Sequence, residues 1–470
     1  MTLLHAYFPA RTLFLWISET CLISCAFLAA TVARLGPGAA ASMLNYQHGT
    51  LKIIGVSAAV IICMYYFDLY DSSVLGNWRE VLIRLTQVLG TVYSVSVFVY
   101  YLYPPLELGR GIVVIGLIIV AMLLLFWRRL FFVMNSVPEF AGRALILGEG
   151  PLVEFLQHEY ESRPELGLRV VGRVLAVGNG KNHAICSSSE SSGDFEADTG
   201  EILSRAIEIL RANRIIIAMD DRRGKLPVEL LLSLKCCGVR VQDGVEVYET
   251  LTGKVPIESV RLASLLFSPG CYASRLHLFY KRSASILVSS IGLLLSLPLL
   301  PFIVLAIKVT SPGPILYRQR RTGRGGVVFH CYKFRTMWAD AEADTGPTWA
   351  KDDDPRITPV GKFFRKSRMD EIPQLWNVLR GDMNMVGPRP ERPEFVEQLS
   401  REIPYYKLRH TVRPGITGWA QIRYKYGSSV EDSKEKLRYD LFYVKNMSLG
   451  LDLLIFFSTI KIILLGRGAK

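Results

Sequence analysis

Apolar residues in this chain are bunched rather than spread. Four runs of near-spanning length open it, at 13–32, 51–66, 85–103 and 111–127, with short linkers of Arg, Gly, Pro and Asp between them. A hydrocarbon layer about 30 Å thick takes ~20 helical residues, so the pattern predicts four transmembrane helices, a four-helix bundle within residues 1–135, the second run being the shortest. No small-residue cleavage site follows the first run and further spans come after it, so it reads as a membrane helix and not a signal peptide. Arg79, Arg84, Arg128, Arg129 and Arg143 follow even-numbered runs and Arg11 precedes the first. That distribution puts both ends of the bundle in the cytoplasm, against a weaker opposing set of Arg34, Lys52 and Arg110.

From Arg143 the pattern changes to alternating short apolar strands and amphipathic helices. Strands are predicted at 143–148, 169–174, 214–218 and 239–241, with helices at 151–160, 201–211 and 227–237 between them. This is the alternation of a Rossmann-like cytoplasmic domain, taken here as residues 140–260. Gly148-Glu149-Gly150 after the first strand is half of a dinucleotide fingerprint; the third glycine is absent and no acidic residue is placed to take a ribose. Residues 179–199, rich in Ser, Gly and Asp, read as a mobile loop.

A fifth apolar run occupies 284–307, flanked by Lys281 and Arg282 before it and Lys308 after it, with Ser296, Pro298 and Pro301 near its middle. Basic flanks at both ends argue against crossing, and two prolines remove backbone donors at mid-depth and invite a bend. The expectation is a re-entrant membrane helix that dips in and returns to the same face. After it, 315–319 reads as a short strand, 322–326 as a turn, and 327–337 as the strand that follows. The apolar segment 448–465, broken by Asp452 and Lys461, reads as an amphipathic helix lying in the membrane interface. Together 275–470 form an α/β catalytic domain, which makes the whole chain membrane α plus α/β.

Charge sharpens this division. The 470 residues carry a formal net charge of +13, and from Arg275 onward there are 32 Lys and Arg against 18 Asp and Glu. Such a balance suits nucleic acid, an anionic membrane surface or phosphorylated small molecules. The eight cysteines form no CxxC pair and no metal spacing with His, so they read as reduced, mostly buried thiols.

The candidate chemistry centres on Arg368-Met369-Asp370-Glu371-Ile372-Pro373-Gln374-Leu375-Trp376-Asn377, two adjacent carboxylates at the predicted start of a helix. Asp370 near the N-cap would accept free backbone N–H groups, meet the positive end of the helix dipole and stay ionised, as a nucleophile requires. On these residues alone, a simple cap and a catalyst both remain open. Around the pair, basic residues recur in short clusters: Gln319-Arg320-Arg321, Lys333-Phe334-Arg335, Arg365-Lys366-Ser367-Arg368, Gly387-Pro388-Arg389-Pro390 and Arg413-Pro414-Gly415. A carboxylate attacks a diphosphate only when the phosphate oxygens are neutralised, which is what such a field supplies. A divalent ion would assist, with Mg²⁺ on Asp370 and few other protein ligands as the expectation. Asp352-Asp353-Asp354 is a rival acidic cluster, read as solvent-exposed. The histidines offer no catalytic triad.

Residues 281–466 resemble the bacterial sugar transferase family, the polyprenyl-phosphate hexose-1-phosphate transferases or large monotopic phosphoglycosyl transferases. The matching residues are the Pro-broken run with Ser311-Pro312-Gly313-Pro314, then Lys333-Phe334-Arg335-Thr336-Met337, Asp354-Pro355-Arg356-Ile357-Thr358 and the Asp370-Glu371 stretch. They continue with Gly381-Asp382-Met383, Val386-Gly387-Pro388-Arg389-Pro390, Pro414-Gly415-Ile416-Thr417-Gly418, and Tyr439-Asp440 with Tyr443. Thr336, Met369 and Ile372 stand where the family often has Ser, Leu and Leu. The four spans and Rossmann-like domain are similar to the long form of the family, and Asp243-Gly244-Val245 with the segment 251–259 resembles the branch found with exosortase-linked exopolysaccharide systems.

The resemblance implies a two-step reaction at the inner (cytoplasmic) membrane. Asp370 attacks the β-phosphate of a UDP-sugar and releases UMP; undecaprenyl phosphate then takes the phosphosugar, which initiates an exopolysaccharide or O-antigen-like glycan. Glu371 is expected to orient Asp370 or handle a proton; Lys333, Arg335, Arg365 and Arg389 to contact phosphates; and Asp440 to bind at and shape the substrate site. The partners implied are UDP-sugar, undecaprenyl phosphate and inner-membrane lipid, with a homodimer compatible. The alternative reading is a catalytically inactive membrane-anchored nucleotide-binding scaffold or regulator, against which the intact Asp370, Glu371, Lys333 and Arg389 speak. A nucleic-acid partner is not expected, because the basic clusters lack interleaved aromatics.

Overall fold

A computed structural model describes residues 10–46, 48–70, 74, 77–136, 142–163, 167–175, 182–186, 193–195, 199–219, 226–257, 274–338, 341, 354–424, 427 and 429–464. The chain divides into two compact units, Met1–Gly244 and Val245–Lys470.

The first unit opens with helices α1 (Ala10–Leu35), α2 (Pro37–Tyr46), α3 (Gly49–Tyr66), α4 (Trp78–Leu102) and α5 (Arg110–Ser136). Within these, Phe14–Leu35, Gly49–Tyr66, Trp78–Leu102 and Arg110–Met134 are long and apolar enough to cross a membrane. α1, α3, α4 and α5 share one buried cluster that includes Phe27, Val60, Val88 and Leu124, while Phe98, Ile118 and Phe126 face outward. In lipid such a surface is at home, because helices satisfy their own backbone groups. α4 starts seven residues before its apolar run. Its first turns hold Arg79, Glu80 and Arg84, and they are helical because Asn77 caps the Glu80 amide and Arg84 pairs with Glu80 one turn away at 3.2 Å. Buried between α1 and α5, the Arg128 guanidinium meets the Glu19 carboxylate at 2.6 Å and donates to the Leu69 carbonyl.

After α5 come β1 (Gly142–Leu147), α6 (Pro151–Ser162), β2 (Leu168–Leu175), β3 (Asn182–Cys186), β4 (Gly193–Phe195), α7 (Thr199–Leu210), β5 (Arg214–Ile217), α8 (Val228–Cys236) and β6 (Arg240–Asp243). They form one sheet in the order β4-β3-β2-β1-β5-β6. The four strands β2, β1, β5 and β6 run parallel, with Leu145, Leu147, Ile215 and Ile217 buried against Leu203 and Leu231 of the helices. β3 and β4 extend the sheet antiparallel. Both lie inside the stretch 179–199 expected as a loop: their pairing rests on backbone groups, which a polar composition does not reveal. Gly148 is required by packing, since at φ 136° a Cβ there would lie 2.3 Å from the Ala218 carbonyl oxygen. Cys331 is buried and Cys63 partly so, whereas Cys21, Cys25, Cys236 and Cys237 are exposed, contrary to the expectation of mostly buried thiols.

The second unit takes in all but the first residue of α9 (Gly244–Thr252) and continues with α10 (Arg275–Ser296), a 3₁₀ turn at Leu297–Leu299 and α11 (Leu300–Thr310). Arg275–Thr310 is the fifth helical run long and apolar enough to cross a membrane. The prolines make a tight turn in an otherwise helical backbone, because Ser296, Leu297, Leu299 and Leu300 all keep right-handed helical dihedrals. Then follow β7 (Leu316–Thr322) and β8 (Val328–Phe334), α12 (Pro359–Lys366), α13 (Gln374–Arg380), β9 (Asn384–Val386), α14 (Pro393–Glu402), β10 (Gly415–Thr417), α15 (Trp419–Arg423), α16 (Val430–Lys445) and α17 (Leu449–Leu464). β7 and β8 form an antiparallel hairpin and β9 pairs with β10 in parallel.

Both arms of the apolar run pack on this unit. On α10, Arg282 donates to the carbonyls of Val378 and Leu379 at the end of α13, and Lys281 bonds Asp452 of α17 and the Tyr443 hydroxyl. On α11, Ile303 and Ile307 pack with Phe334 and Phe364. α17 has 16 residues, short for a span. α9 and the segment after it belong here too: Lys254 pairs with Glu435, Lys445 with Glu249 at 2.7 Å, and the Trp419 indole donates to the Gly253 carbonyl.

Candidate active site

Asp370 and Glu371 sit in a 3₁₀ turn, Met369–Glu371, between α12 and α13. The turn is entered through Arg368 in the left-handed conformation (φ 58°), which ends the preceding helical segment and turns the chain inward. Pro373 occupies the cap position of α13, and no side chain bonds the free amides there. The expected N-cap role of Asp370 is therefore corrected: one further turn of 3₁₀ backbone separates it from α13, and among the described residues its carboxylate accepts no hydrogen bond. It is 7% exposed.

The two carboxylates are in different electrostatic states. Lys333 Nζ at 3.3 Å and Arg389 Nη2 at 2.8 Å both donate to the same Glu371 oxygen, Oε1. Burial alone would raise Glu371, but Arg389, Lys333 and Arg368 override it and hold the group well below the usual carboxylate range. Asp370 moves the other way, raised by burial and then by the charge of Glu371, with Lys333, Arg365 and Arg389 opposing.

The cations come from three places in the fold. Lys333 and Arg335 lie at the end of β8 and just beyond it, Arg365 in the last turn of α12, and Arg389 in the loop after β9. Lys333, Arg389 and Glu371 are brought into contact, and Arg365 acts on Asp370 through its charge while its Nε donates to Thr336 Oγ1 at 3.0 Å. Arg335 is buried and donates to the Ser311 carbonyl at 2.7 Å, tying β8 to the chain leaving α11; its Nε and Nη1 have no hydrogen-bond partner among the described residues. Asp440 is not brought to the open side. It is 1% exposed and lies 2.8 Å from Arg409 Nη2, which also donates to the Arg389 carbonyl, so its link to Arg389 runs through Arg409. Burial, reinforced by Glu391 and opposed by Arg409 and Lys436, pushes Asp440 up to about 6.

Three positions carry the geometry without having been singled out for it from sequence. Asn377, fully buried, accepts from the Tyr332 amide at 3.0 Å and donates to the His330 carbonyl at 2.7 Å, which pins α13 to β8 and sets Lys333 beside Glu371. Arg282 satisfies the carbonyls at the end of α13. Arg409 holds the Arg389 carbonyl at 3.0 Å; only its neighbourhood to the quoted Arg413-Pro414-Gly415 hinted at it. β9 and β10 can approach because Gly415 has no side chain: a Cβ there would lie 2.1 Å from the Gly387 amide.

For a divalent ion, the described residues hold no group of three or more His, Cys, Asp and Glu. Glu371 Oε1 is engaged by two cations, and Asp354 is engaged by Arg356 at 2.6 Å. Asp352 and Asp353 lie outside the described residues. What the dyad leaves for an ion is the Asp370 carboxylate and the second oxygen of Glu371, so an ion held there would take most of its oxygens from a bound diphosphate and water.

The family model for bacterial sugar transferases matches residues 276–466. Over 228 residues the chain is 46% identical to the UDP-N-acetylgalactosamine-undecaprenyl-phosphate N-acetylgalactosaminephosphotransferase of Aeromonas hydrophila, covering 48% of this chain and 52% of that protein. It is 34% identical over 324 residues to the UDP-glucose:undecaprenyl-phosphate glucose-1-phosphate transferase of Escherichia coli K12 (67% of this chain, 66% of that protein). The Klebsiella pneumoniae protein of the same name is 35% identical over 326 residues (68% and 67%). The chain thus spans about half the length of the first relative and about two thirds of the other two. On this likeness, the chain belongs to the bacterial sugar transferase family.

Proposed function

We propose that the protein transfers a sugar 1-phosphate from a UDP-sugar to undecaprenyl phosphate, through a covalent phosphosugar on Asp370. The observation that carries this reading is the asymmetric dyad: Glu371 is locked by Lys333 and Arg389, while the adjacent Asp370 carboxylate accepts no hydrogen bond among the described residues. A nucleophile needs an oxygen not already committed to a donor, within a positive field.

In the first step an Asp370 oxygen bonds to the β-phosphorus and the bond from that phosphorus to the bridging oxygen breaks. UMP leaves with the bridging oxygen, and the sugar phosphate remains on the carboxyl group. Lys333, Arg335, Arg365 and Arg389 neutralise the phosphate oxygens as charge builds. In the second step an oxygen of undecaprenyl phosphate attacks the same phosphorus, and Asp370 leaves as a carboxylate. Glu371, held well below neutrality, carries no proton in this scheme; it keeps two cations against the nucleophile. Mg²⁺ held by Asp370 would add neutralisation of the diphosphate oxygens.

The membrane arrangement supports the same reading. Both arms of the run Arg275–Thr310 pack on the domain that carries the dyad, through Arg282 at one end and Ile307 at the other. A helix crossing the bilayer would separate those ends by about 30 Å of lipid, so the packing favours re-entry from the cytoplasmic face of the inner membrane, where the lipid phosphate and nucleotide sugars meet. The four N-terminal helices would anchor the chain as a transmembrane bundle, the strands and helices up to Gly244 would form a Rossmann-like structural or regulatory domain, and the unit from Val245 would carry the catalytic domain. The product would initiate an exopolysaccharide or O-antigen-like glycan.

The test is to incubate the purified protein with Mg²⁺ and either UDP-glucose or UDP-N-acetylgalactosamine, without lipid. A phosphosugar adduct on Asp370 by mass spectrometry, with UMP released, is expected; Asp370→Asn shows neither. Normal turnover by that variant overturns the mechanism, and no UMP release from the unaltered protein favours an inactive scaffold.

A further inference from the structure

The loop Pro388-Arg389-Pro390-Glu391 that presents Arg389 to Glu371 has an unusual limitation. Two of its four residues are prolines, which lack an N–H, so the loop is short of donors and must be held through its carbonyls. All four are held. The Gly415 amide donates to the Pro388 carbonyl at 3.0 Å, Arg409 Nη2 to Arg389 at 3.0 Å, Arg321 Nη1 to Pro390 at 3.0 Å, and the Thr322 amide to Glu391 at 2.9 Å. The two central holders are side chains, Arg409 buried and Arg321 partly buried, and both are braced. Arg409 Nη1 donates to the Tyr406 hydroxyl at 2.6 Å, and its Nη2 also meets Asp440 at 2.8 Å. Arg321 donates through Nη2 to Gln319 Oε1 at 2.6 Å and lies 3.5 Å from Glu391.

We infer that Arg409 and Arg321 are positioning residues for Arg389, fixing its backbone so that its guanidinium stays on Glu371 beside Asp370. Buried guanidiniums spent on main-chain carbonyls stabilise little that a hydrophobic side chain could not. Their value lies in geometry, because a donor aimed at developing charge loses effect when its support loosens by a fraction of an ångström. Asp440 and Tyr406 belong to the same support: they orient Arg409. The inference rests on the proposed function, since these residues act only through Arg389.

The test uses the full-length protein in lipid nanodiscs supplied with undecaprenyl phosphate and reads UMP release from UDP-glucose and UDP-N-acetylgalactosamine. Arg409→Lys keeps a charge against Asp440 but cannot span Tyr406 and the Arg389 carbonyl. It is expected to keep the thermal midpoint while kcat falls about tenfold, with KM for the UDP-sugar within about threefold because Lys333 and Arg365 remain. In an Arg389→Lys background, Arg409→Met is expected to add less than about twofold, since the group being positioned is already gone. Hydrogen exchange supplies a readout independent of turnover: peptides covering 386–392 exchange about tenfold faster in Arg409→Met. Wild-type kcat in Arg409→Lys, equal losses in both backgrounds, or unchanged exchange in 386–392 each overturn the inference. Absence of UMP release from the unaltered protein would overturn the proposed function instead, and exchange would then decide this one alone.

Discussion

Two neighbouring carboxylates cannot both be comfortable in a buried pocket. Here Glu371 takes the hydrogen bonds from Lys333 and Arg389, and the pKa of Asp370 rises, first through burial and then through the charge of Glu371. Sequence reasoning found the pair but assigned its electrostatics to helix capping. Pro373 and the 3₁₀ turn keep Asp370 away from the α13 amides, and long-range cations do the work instead. Asp440 illustrates the same point at depth. Its carboxyl is raised from 3.8 to about 6, so the folded state binds its proton more tightly than the unfolded state does. The associated stability is fully present below about pH 4 and is lost as pH rises through about 6. At roughly 1.4 kcal/mol per pH unit the loss is about 3 kcal/mol. Asp440→Asn is expected to match the unaltered protein in thermal midpoint near pH 4 and exceed it above pH 6, while releasing UMP more slowly because Arg409 is less firmly held. Thermal melts across pH 4 to 7 check this; parallel curves for both proteins would contradict it.

At the scale of elements, what could be read from sequence was what hydrophobic periodicity encodes. The apolar helices, the parallel strands and the Pro-broken run all emerged because burial of apolar side chains dictates them. The start of α4 was missed, since a cap at Asn77 and an ion pair, not apolarity, make those turns helical. β3 and β4 were missed because edge strands are defined by backbone pairing. Of the site, the motif residues Lys333, Arg365, Arg389 and the dyad were legible; Asn377's role as a pin between α13 and β8, and Arg409's beneath the loop, required knowing which strands adjoin. The apolar run makes its own prediction. Glu397 on α14 is exposed; Glu397→Cys is expected to resist a membrane-impermeant maleimide in intact cells and to react once the inner membrane is opened. Labelling of intact spheroplasts would mean that Arg275–Thr310 crosses.

Across the whole molecule, every candidate site residue lies in the unit Val245–Lys470, together with the apolar run Arg275–Thr310. A chain beginning at Val245 is therefore expected to insert in membranes and release UMP within about tenfold of the full protein; complete inactivity with a normal thermal midpoint would assign the first unit a part in turnover. The stabilising contacts of that run are far away along the chain. Arg282 reaches Val378, 96 positions later, and Lys281 reaches Asp452, 171 positions later. At ~5–20 residues per second of synthesis, the apolar segment is made many seconds before its partners exist. Water would expose it to aggregation over that interval. A bilayer would thus serve first as a holding compartment for an unfinished fold and, on the proposed function, only later as the source of a substrate.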